Sequence, residues 1–342
     1  MKYNKEFKTY REQIMLMKGR GVKFNKISEL EAEKIISNIN YYKFSGYMKV
    51  FEEMPDQYDI QFSKFIDLYN FDRKFSRIIF EMIEKVEIAF KTNLAYYISE
   101  RTKKIGPLGY LNTLEWKDYS FYNKRTGQTE IKKSHEILKD KLDFKKRITE
   151  YTARNTKGCI ESYFEKYKDE HFIPLWILIE VIDFGMSTKM YEESIKNIQD
   201  KISKALNIPM NKDLDFYLKS LKLIRNVVAH NGILWNFKLI SKLNKPLVTQ
   251  YKDIDDKSIV AVLVVIIEIF KSVDSKYDYT ELRELIISYF EKNPELLYKF
   301  GIKNNNLYLI KKLLKTESRG KKINRKINRK SRRVEYGKTK WN

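Results

Sequence analysis

Residues 62–100 read FSKFIDLYNFDRKFSRIIFEMIEKVEIAFKTNLAYYISE and contain neither glycine nor proline. Mostly apolar side chains recur along this stretch at spacings of three, four and seven residues, as they do on one face of an amphipathic helix. The stripe consists of Leu68, Phe75, Ile79, Met82, Val86, Ala89, Asn93 and Tyr97. The spacing predicts one long helix that lays this stripe against the rest of the protein.

Helical patterns continue on both sides of this stretch. They cover residues 5–18, 28–38, 131–153, 159–169, 213–230 and 257–273, with two shorter pieces in 280–315 around Pro294. Ser28 followed by Glu31 is a capping-box pattern at the start of a helix. Glycine and proline are few for the length, at 12 and six of 342 residues, and no long alternation typical of strands occurs. We therefore predict an all-α fold, with residues 101–130 as a polar, aromatic-bearing insertion.

The composition is that of a folded protein in a reducing compartment. Hydrophobic residues make up 43% of the chain, which is too much for a disordered protein. The single cysteine, Cys159, excludes an intrachain disulfide, and no cysteine–histidine cluster points to structural zinc. The N-terminus lacks the apolar segment of a signal peptide, and the longest apolar run, Ile259–Ile267, is too short to span a bilayer. We expect a cytoplasmic protein that needs no metal or other cofactor.

Positive charge is concentrated at the C-terminus of the chain. The net charge is +22, and residues 319–342 contribute 11 Lys/Arg against one acid. The candidate RNA-binding residues of this tail are Lys321, Lys322, Arg325, Lys326, Arg329, Lys330, Arg332 and Arg333. Such a polybasic segment binds polyanions through counterion release and is typically disordered when free. An anionic membrane is the rival partner, but the tail has no apolar face, so we favour a nucleic acid.

A second informative segment is residues 221–232, which read LKLIRNVVAHNG and close a helical pattern. The simple interpretation is a helix-end histidine that suits the helix dipole, followed by Gly232 as the stop signal. The functional interpretation starts from Arg225 and His230, because a phosphate-cleaving site without metal needs a fixed cation and a group that titrates near neutral pH. Asn226 precedes His230 by four residues and hence lies on the same helix face. His135 and His171, the other two histidines, have no such companions.

With these segments in place, the chain resembles the abortive-infection (Abi) family of the AbiD/AbiF type, which is assigned to the HEPN superfamily of α-helical RNA-cleaving domains. The likeness covers roughly residues 5–240, and Arg225, Asn226 and His230 fall where the arginine–polar–histidine motif of the superfamily belongs. Four further segments carry it: Thr9–Ile14 with Lys18–Gly21; Asn40–Tyr47; Phe71–Phe75 continuing to Ile83–Glu87; and Pro174–Trp176 with Glu180 and Phe184–Gly185.

The resemblance implies a HEPN-like helical bundle and a metal-independent endoribonuclease in antiviral abortive infection or a toxin–antitoxin system. Arg225, Asn226 and His230 would be the catalytic residues. Acid and base catalysis calls for two titrating groups and this segment offers one, so a homodimer would build a composite site across its axis. A structured non-coding RNA is a candidate restraint or guide. The alternative is a non-catalytic RNA-binding module in which Arg225 and His230 contact phosphate.

Three further residues are candidates for supporting the catalytic set. Glu87 and Lys91 resemble the glutamate–three–basic pattern of the superfamily, although a solvent-exposed helix pair is the simpler interpretation. In the functional interpretation Glu87 orients Arg225. Glu180 is the third candidate.

Other residues receive structural interpretations. We expect Asp72 and Arg73 to be structural, satisfying buried backbone groups or each other. We expect Trp176 to be a core residue and not a base-stacking platform. The aromatic-basic segments 41–51 and 119–124 could stack on unpaired bases, but most aromatic residues at helical spacing belong to the core.

The predicted organisation has four parts. Residues 1–58 form an N-terminal helical and aromatic extension, and residues 59–275 form the HEPN-like core with its insertion at about 101–130. Residues 276–318 form C-terminal helices, and residues 319–342 form the polybasic tail.

Overall fold

The computed structural model of the protein describes residues 6–208, 211–235, 237–239 and 251–315. The predicted all-α fold is confirmed: these residues form fourteen α-helices and four short strands. The HEPN-like core remains a prediction. The polybasic residues 319–342 lie outside the described residues.

The helices are numbered here in chain order. They are α1 Tyr10–Gly19, α2 Glu29–Asn38, α3 Tyr41–Met48, α4 Phe62–Thr102, α5 Ser134–Arg154, α6 Cys159–Lys166, α7 Leu175–Val181, α8 Phe184–Glu192, α9 Lys196–Ala205, α10 Asn211–Ala229, α11 Ile259–Val273, α12 Thr280–Lys292, α13 Leu297–Phe300 and α14 Tyr308–Leu313. Short 3-10 turns span Lys49–Phe51, Lys103–Ile105, Gly109–Leu111, Thr113–Glu115, Pro294–Leu296 and Lys303–Asn305. The strands are β1 Val22–Lys23, β2 Ile60–Gln61, β3 Ser120–Asn123 and β4 Gln128–Ile131.

Helix α4 is the axis of the molecule. Its 41 residues confirm the long helix predicted from the glycine- and proline-free stretch, and at 1.5 Å per residue it is about 60 Å long. Helices α3, α7, α8, α9, α10, α11 and α12 all pack against it. Because so many partners surround it, α4 is buried on more than one face, and Phe65, Ile83 and Phe90 are all inaccessible to solvent.

Helix α11 is the most apolar packing partner of α4. Every residue from Ile259 to Ile267 is buried, and Ser258 caps the helix by accepting a hydrogen bond from the amide of Ala261. It packs against both α4 and α10. In the part of the chain that the structure describes, no helix is long and apolar enough to cross a membrane.

The N-terminal residues form a smaller hydrophobic cluster of their own. It joins α1, α2 and α3 to the start of α4 through Met17, Ile36, Phe44 and Phe62. Strands β1 and β2 pair in parallel, with Val22 opposite Ile60, and so fix the chain that enters α4. Ser28 caps α2 by accepting from the Glu31 amide, which is one half of the predicted capping box. The complete capping box is formed by Thr9 and Glu12 on α1.

The segment predicted as a polar insertion is partly a core element. Tyr110 and Trp116 are buried, and each donates a hydrogen bond to a backbone carbonyl, Tyr110 to Ile173 and Trp116 to Tyr110. Satisfying their polar atoms in this way allows these rings to be buried. Beyond them, β3 and β4 form an antiparallel hairpin in which Ser120 lies opposite Ile131. The sequence signal for this hairpin was short, because each strand has only four residues.

Candidate active site

The end of α10 differs in detail from the prediction. The helix ends at Ala229, and His230 is the first residue after it. Asn231 adopts the left-handed conformation at φ 54°, and the Asn231 and Gly232 amides donate to the Val228 and Val227 carbonyls at 2.9 and 2.6 Å. This is the Schellman pattern of helix termination, with asparagine in the left-handed position.

Gly232 is therefore not the left-handed stop residue that the sequence predicted. Its lack of a side chain serves a close approach instead. A Cβ atom at this position would lie 2.7 Å from Cγ1 and 2.8 Å from the carbonyl oxygen of Val227. The tight return of the chain over the last turn of α10 needs a glycine at this position.

The buried face of α10 sets where the candidate catalytic residues lie. Leu214, Leu221 and Ile224 are inaccessible to solvent and pack in the main core. Arg225 lies at the edge of this stripe, because it follows Leu221 by four residues, whereas Asn226 is rotated by about 100° further and points away from it. Asn226 and His230 are exposed, and Arg225 is half-buried with 37% of its side chain accessible.

Arg225 meets α4 at Glu87. Its Nε atom lies 3.6 Å from Oε2 of Glu87. The other carboxylate oxygen, Oε1, forms an ion pair with Nζ of Lys91 at 2.9 Å. Glu87 is buried with only 9% exposure, and the Lys91 side chain is 15% exposed. One buried carboxylate therefore lies beside two cations, and solvent screens these pairs less than it screens an exposed surface pair.

The structure thus brings Glu87, Lys91 and Arg225 together, as the functional interpretation of Glu87 requires. Asn226 follows Arg225 on α10, and His230 follows the last residue of this helix; both are exposed. Within the described ranges, no side-chain hydrogen bond or ion pair engages Asn226 or His230. Both side chains are therefore accessible to a molecule that approaches this surface from solvent.

A buried group, here called the clamp, fixes the chain just after His230. It consists of Tyr47 from α3 and of Asp72 and Arg73 from α4. The Asp72 carboxylate accepts hydrogen bonds from the Tyr47 hydroxyl at 2.7 Å, from Arg73 Nη2 at 2.9 Å and from the Leu234 amide at 3.3 Å. Arg73 also donates to the carbonyl of Gly232. The predicted structural role of Asp72 and Arg73, including the satisfaction of buried backbone groups, is confirmed.

Burial shapes the electrostatics of the clamp. Asp72 and Tyr47 are inaccessible to solvent. Burial, and then the charge of the Asp72 carboxylate, raise the pKa of Tyr47 well above its ordinary value. Burial opposes the charge of Arg73, but the hydrogen bond to Asp72 and the electrostatic effects of Tyr47, Asp72 and Tyr69 together outweigh burial, so the pKa of Arg73 is raised. The clamp is therefore a neutral phenol with a charged pair.

Helix α3 approaches the same segment closely at Gly46. A Cβ atom there would lie 2.5 Å from Cδ1 of Ile233. The aromatic segment 41–51 is accordingly mostly core: Phe44, Tyr47 and Met48 are buried, whereas Tyr42 is 88% exposed. The role of Tyr47 was missed by sequence reasoning, although its place in the segment Asn40–Tyr47 marked the region.

Trp176 contradicts its prediction as a core residue, because 53% of it is exposed. Helix α7 has only seven residues, and it buries Leu175, Leu178 and Ile179 against α4 and its neighbours. Trp176 and Glu180 lie on the opposite side, one turn apart. Neither a hydrogen bond nor an ion pair connects Glu180 to Arg225 or His230 in the described part of the chain.

The remaining sequence candidates lie elsewhere. His135 in the first turn of α5 and His171 before α7 are both exposed. Tyr119 is buried, whereas Tyr122 on the hairpin is 65% exposed. No group of three or more His, Cys, Asp or Glu side chains that could hold a metal ion occurs among the described residues.

Comparison with known proteins identifies one relation. A family model described as Abi-like protein matches residues 34–236, which is more than half of the chain. The matched range contains the clamp, Glu87, Lys91, Arg225 and His230. Neither a curated protein nor a solved structure matches the chain.

Proposed function

The chain belongs to the Abi-like protein family, and from this premise we propose that it acts in abortive-infection defence as a metal-independent endoribonuclease. The narrower assignment to the AbiD/AbiF type and the HEPN superfamily is part of the proposal. The observation that carries it is the Arg225–Glu87 pair beside the exposed Asn226 and His230. A fixed guanidinium and a free imidazole at one surface are what RNA cleavage without metal requires.

The proposed reaction is transesterification. The 2′-oxygen of a ribose attacks the adjacent phosphorus while its proton passes to an imidazole that acts as base. The bond from phosphorus to the 5′-oxygen breaks, and that oxygen receives a proton from an acid. The products are a 2′,3′-cyclic phosphate and a 5′-hydroxyl. The guanidinium of Arg225 stabilises the additional charge on the phosphorane by donating to two of its oxygens.

The supporting residues have distinct proposed roles. Glu87 and Lys91 orient Arg225, since Glu87 is buried and leaves the guanidinium few alternative positions. Asn226 holds the phosphate or the imidazole, because an amide cannot transfer the proton itself. No catalytic role is proposed for Glu180, because it forms no hydrogen bond or ion pair with Arg225 or His230 among the described residues.

A second copy of the chain completes the proposed site. The reaction needs a base and an acid, and the end of α10 carries one histidine. A two-fold axis near His230 would bring two Arg225/His230 sets together, and symmetric dimers are the commonest oligomers. Cleavage by a protein that stays monomeric at the assay concentration would exclude this arrangement.

The proposal includes a restraint on the enzyme, since an unrestrained ribonuclease would damage its own cell. The tail residues Lys321–Arg333, outside the described residues, carry the charge that would bind a structured RNA. Such an RNA could serve as inhibitor or guide. Replacing the tail lysines and arginines by glutamine should weaken RNA binding and reduce its dependence on salt.

The test is cleavage of end-labelled RNA in EDTA by protein freed of bound nucleic acid with high salt. We expect the wild type to leave 2′,3′-cyclic phosphate ends and His230→Ala to lose activity by about 10²–10⁴-fold. His171→Ala is the matched control, because His171 is also an exposed histidine and should keep full activity. Equal activity of wild type and His230→Ala would refute the proposed site.

The second candidate function is non-catalytic RNA binding. It is favoured by the exposure of Asn226 and His230, because both could contact phosphate without transferring a proton. In that case neither protein would cut RNA in EDTA, and His230→Ala would retain the biological effect while binding RNA more weakly.

A further inference from the structure

A groove between α4 and α7 has no part in the site proposed above. Its volume is about 580 Å³. Helix α4 lines it with Thr92, Ala95, Tyr96, Ser99 and Glu100, the turn after α4 with Lys103, and α7 with Trp176, Ile179 and Glu180. Thr92 directly follows Lys91 in sequence but lies about 100° further around α4, so the groove opens on another side of this helix than the Glu87–Lys91 pair.

Two large aromatic side chains border this groove and stay open to solvent. Trp176 is 53% exposed and Tyr96 is 61% exposed. Among the described residues, Trp176 stacks on no other ring. The floor between them is apolar, because Ala95 and Ile179 are each 4% exposed. Exposed rings around one concave, partly apolar surface are typical of ligand-binding grooves.

The two carboxylates in the groove are not equivalent. Glu100 is paired with Lys201 at 2.7 Å. Glu180 forms no ion pair and accepts no hydrogen bond within the described ranges, and it is exposed. It lies four residues after Trp176 and therefore beside it on the same face of α7. The groove thus presents the exposed indole of Trp176 and the two unpaired carboxylate oxygens of Glu180, and Lys103 is among its lining residues.

We propose that this groove binds an unpaired guanine of the RNA. The base would stack on Trp176, and the Glu180 carboxylate would accept from its N1–H and N2–H groups in two parallel hydrogen bonds. Guanine is the only common RNA base with two adjacent donors on its Watson–Crick edge. Adenine and cytosine place a ring acceptor beside their amino group, and uracil flanks its one donor with two acceptors, so each would put an acceptor against the carboxylate. Lys103 would neutralise a neighbouring phosphate.

The groove lies apart from the proposed cleavage site, and the choice of RNA as its ligand rests on the proposed function. Glu87 and Tyr96 are nine residues apart on α4, which is about 13 Å along the helix axis and about half a turn around it. A single strand would have to pass around α4 to reach both places, so the guanosine preference is tested by binding and not by the position of a cut.

The test is RNA binding by the full-length chain carrying His230→Ala, so that cleavage does not consume the probe. The probes are oligouridylates with one central guanosine or one central adenosine. We expect tighter binding of the guanosine probe. Introducing Trp176→Ala into the His230→Ala protein should weaken binding of the guanosine probe by roughly 5- to 150-fold, the range that loss of one base stack gives.

Glu180→Gln tests base recognition separately from stacking. Its amide offers one donor and one acceptor, so the preference for guanosine should vanish or move toward adenosine while overall affinity changes little. Glu165→Gln removes the same charge from the exposed face of α6 and should keep the preference for guanosine.

Three outcomes would overturn the inference. These are equal binding of the two probes by the starting protein, a guanosine preference that survives Glu180→Gln, and a Trp176→Ala protein that loses its dimer while binding RNA normally. The last result would make the groove an interface between two copies. These readouts are independent of the cleavage assay, so a guanosine preference can stand if His230 proves non-catalytic, and cleavage can stand without the preference.

Discussion

The end of α10 has two flanks that differ in burial and in the partners of their polar groups. On the inner flank, the clamp of Tyr47, Asp72 and Arg73 is closed: the Asp72 carboxylate is inaccessible and accepts three hydrogen bonds from the chain itself. On the outer flank, Asn226 and His230 are exposed and make no side-chain hydrogen bond or ion pair with the described residues. Arg225 lies between them, half-buried and paired with Glu87.

The difference shows how one helix end can be both fixed and reactive. A buried charge is tolerable only when it has partners, and the chain itself supplies three donors to Oδ2 of Asp72. The clamp therefore serves to hold residues 232–234, although Asp72 Oδ1 and Arg73 Nε have no hydrogen-bond partner among the described residues. The outer groups carry no such constraint and remain available to a substrate or to a second copy. Changes in the clamp should therefore act on stability, and changes at Arg225 and His230 should act on the reaction.

The largest expected effect is that of Asp72→Ala. Removing the carboxylate leaves the partly buried Arg73 without its counter-charge and the Leu234 amide without its acceptor. We expect the free energy of unfolding to fall by about 3–5 kcal/mol, as for other broken buried ion pairs. Denaturant unfolding followed by circular dichroism measures it.

Asp140→Ala is the control for this comparison. It removes a carboxylate that pairs with Lys132 at 2.7 Å on the surface, where 31% of the Asp140 side chain is exposed. An exposed pair of this kind contributes about 0–1 kcal/mol. If the two variants lost similar amounts of stability, the clamp would not be the special element described above.

Arg225→Ala should give the next largest effect, which falls on the rate of RNA cleavage and not on stability. The loss of a preorganised cation at the phosphorane should reduce the cleavage rate by about 10²–10³-fold. Because Arg225 is partly exposed, the free energy of unfolding should change far less than in Asp72→Ala. Arg225→Lys keeps the charge but not the forked geometry, and it should recover only part of the rate. Full cleavage by Arg225→Ala would remove this residue from the proposed mechanism.

The sequence predicted those parts of the fold and site that repeat or lie close together. The stripe from Leu68 to Tyr97 was sufficient for α4 because helix periodicity is local. Glu87 and Lys91 were candidates as an i,i+4 pair, and the spacing of Arg225 and His230 marked the end of α10. The resemblance to the Abi family associated these two regions with one site.

The clamp could not be predicted in the same way. Asp72 and Leu234 are 162 residues apart, and the partner at Leu234 is a backbone amide, which has no sequence signature. The exposure of Trp176 also required the structure. An apolar pattern shows that a seven-residue helix has a buried side, but it does not show which neighbours leave the other side uncovered.

Tyr47→Phe should give a smaller loss than Asp72→Ala within the same clamp. The hydroxyl is one of three donors to Asp72, and its removal leaves the Arg73 and Leu234 donors in place. We expect a loss of about 1–3 kcal/mol at neutral pH, the usual cost of removing a partner from a buried polar group. Tyr42→Phe makes the same chemical change at an exposed position of α3 and should be nearly neutral in denaturant unfolding.

The smallest expected effect is a pH dependence that isolates the Tyr47 proton. The pKa of Tyr47 is raised by burial and by Asp72, whereas a tyrosine in the unfolded chain has a pKa of about 10. The folded state therefore keeps this proton above pH ~10 while the unfolded state releases it, so the contribution of Tyr47 to stability is complete below that pH and declines above it. The difference in unfolding free energy between wild type and Tyr47→Phe should shrink by up to about 1.4 kcal/mol per pH unit above pH ~10. The other buried tyrosines are present in both proteins, so their contributions cancel in this difference.

Tyr42→Phe is the control for this pH dependence. The difference in unfolding free energy between wild type and Tyr42→Phe should stay level over the same range. Equal slopes for Tyr47→Phe and Tyr42→Phe would mean that the clamp does not hold a neutral phenol.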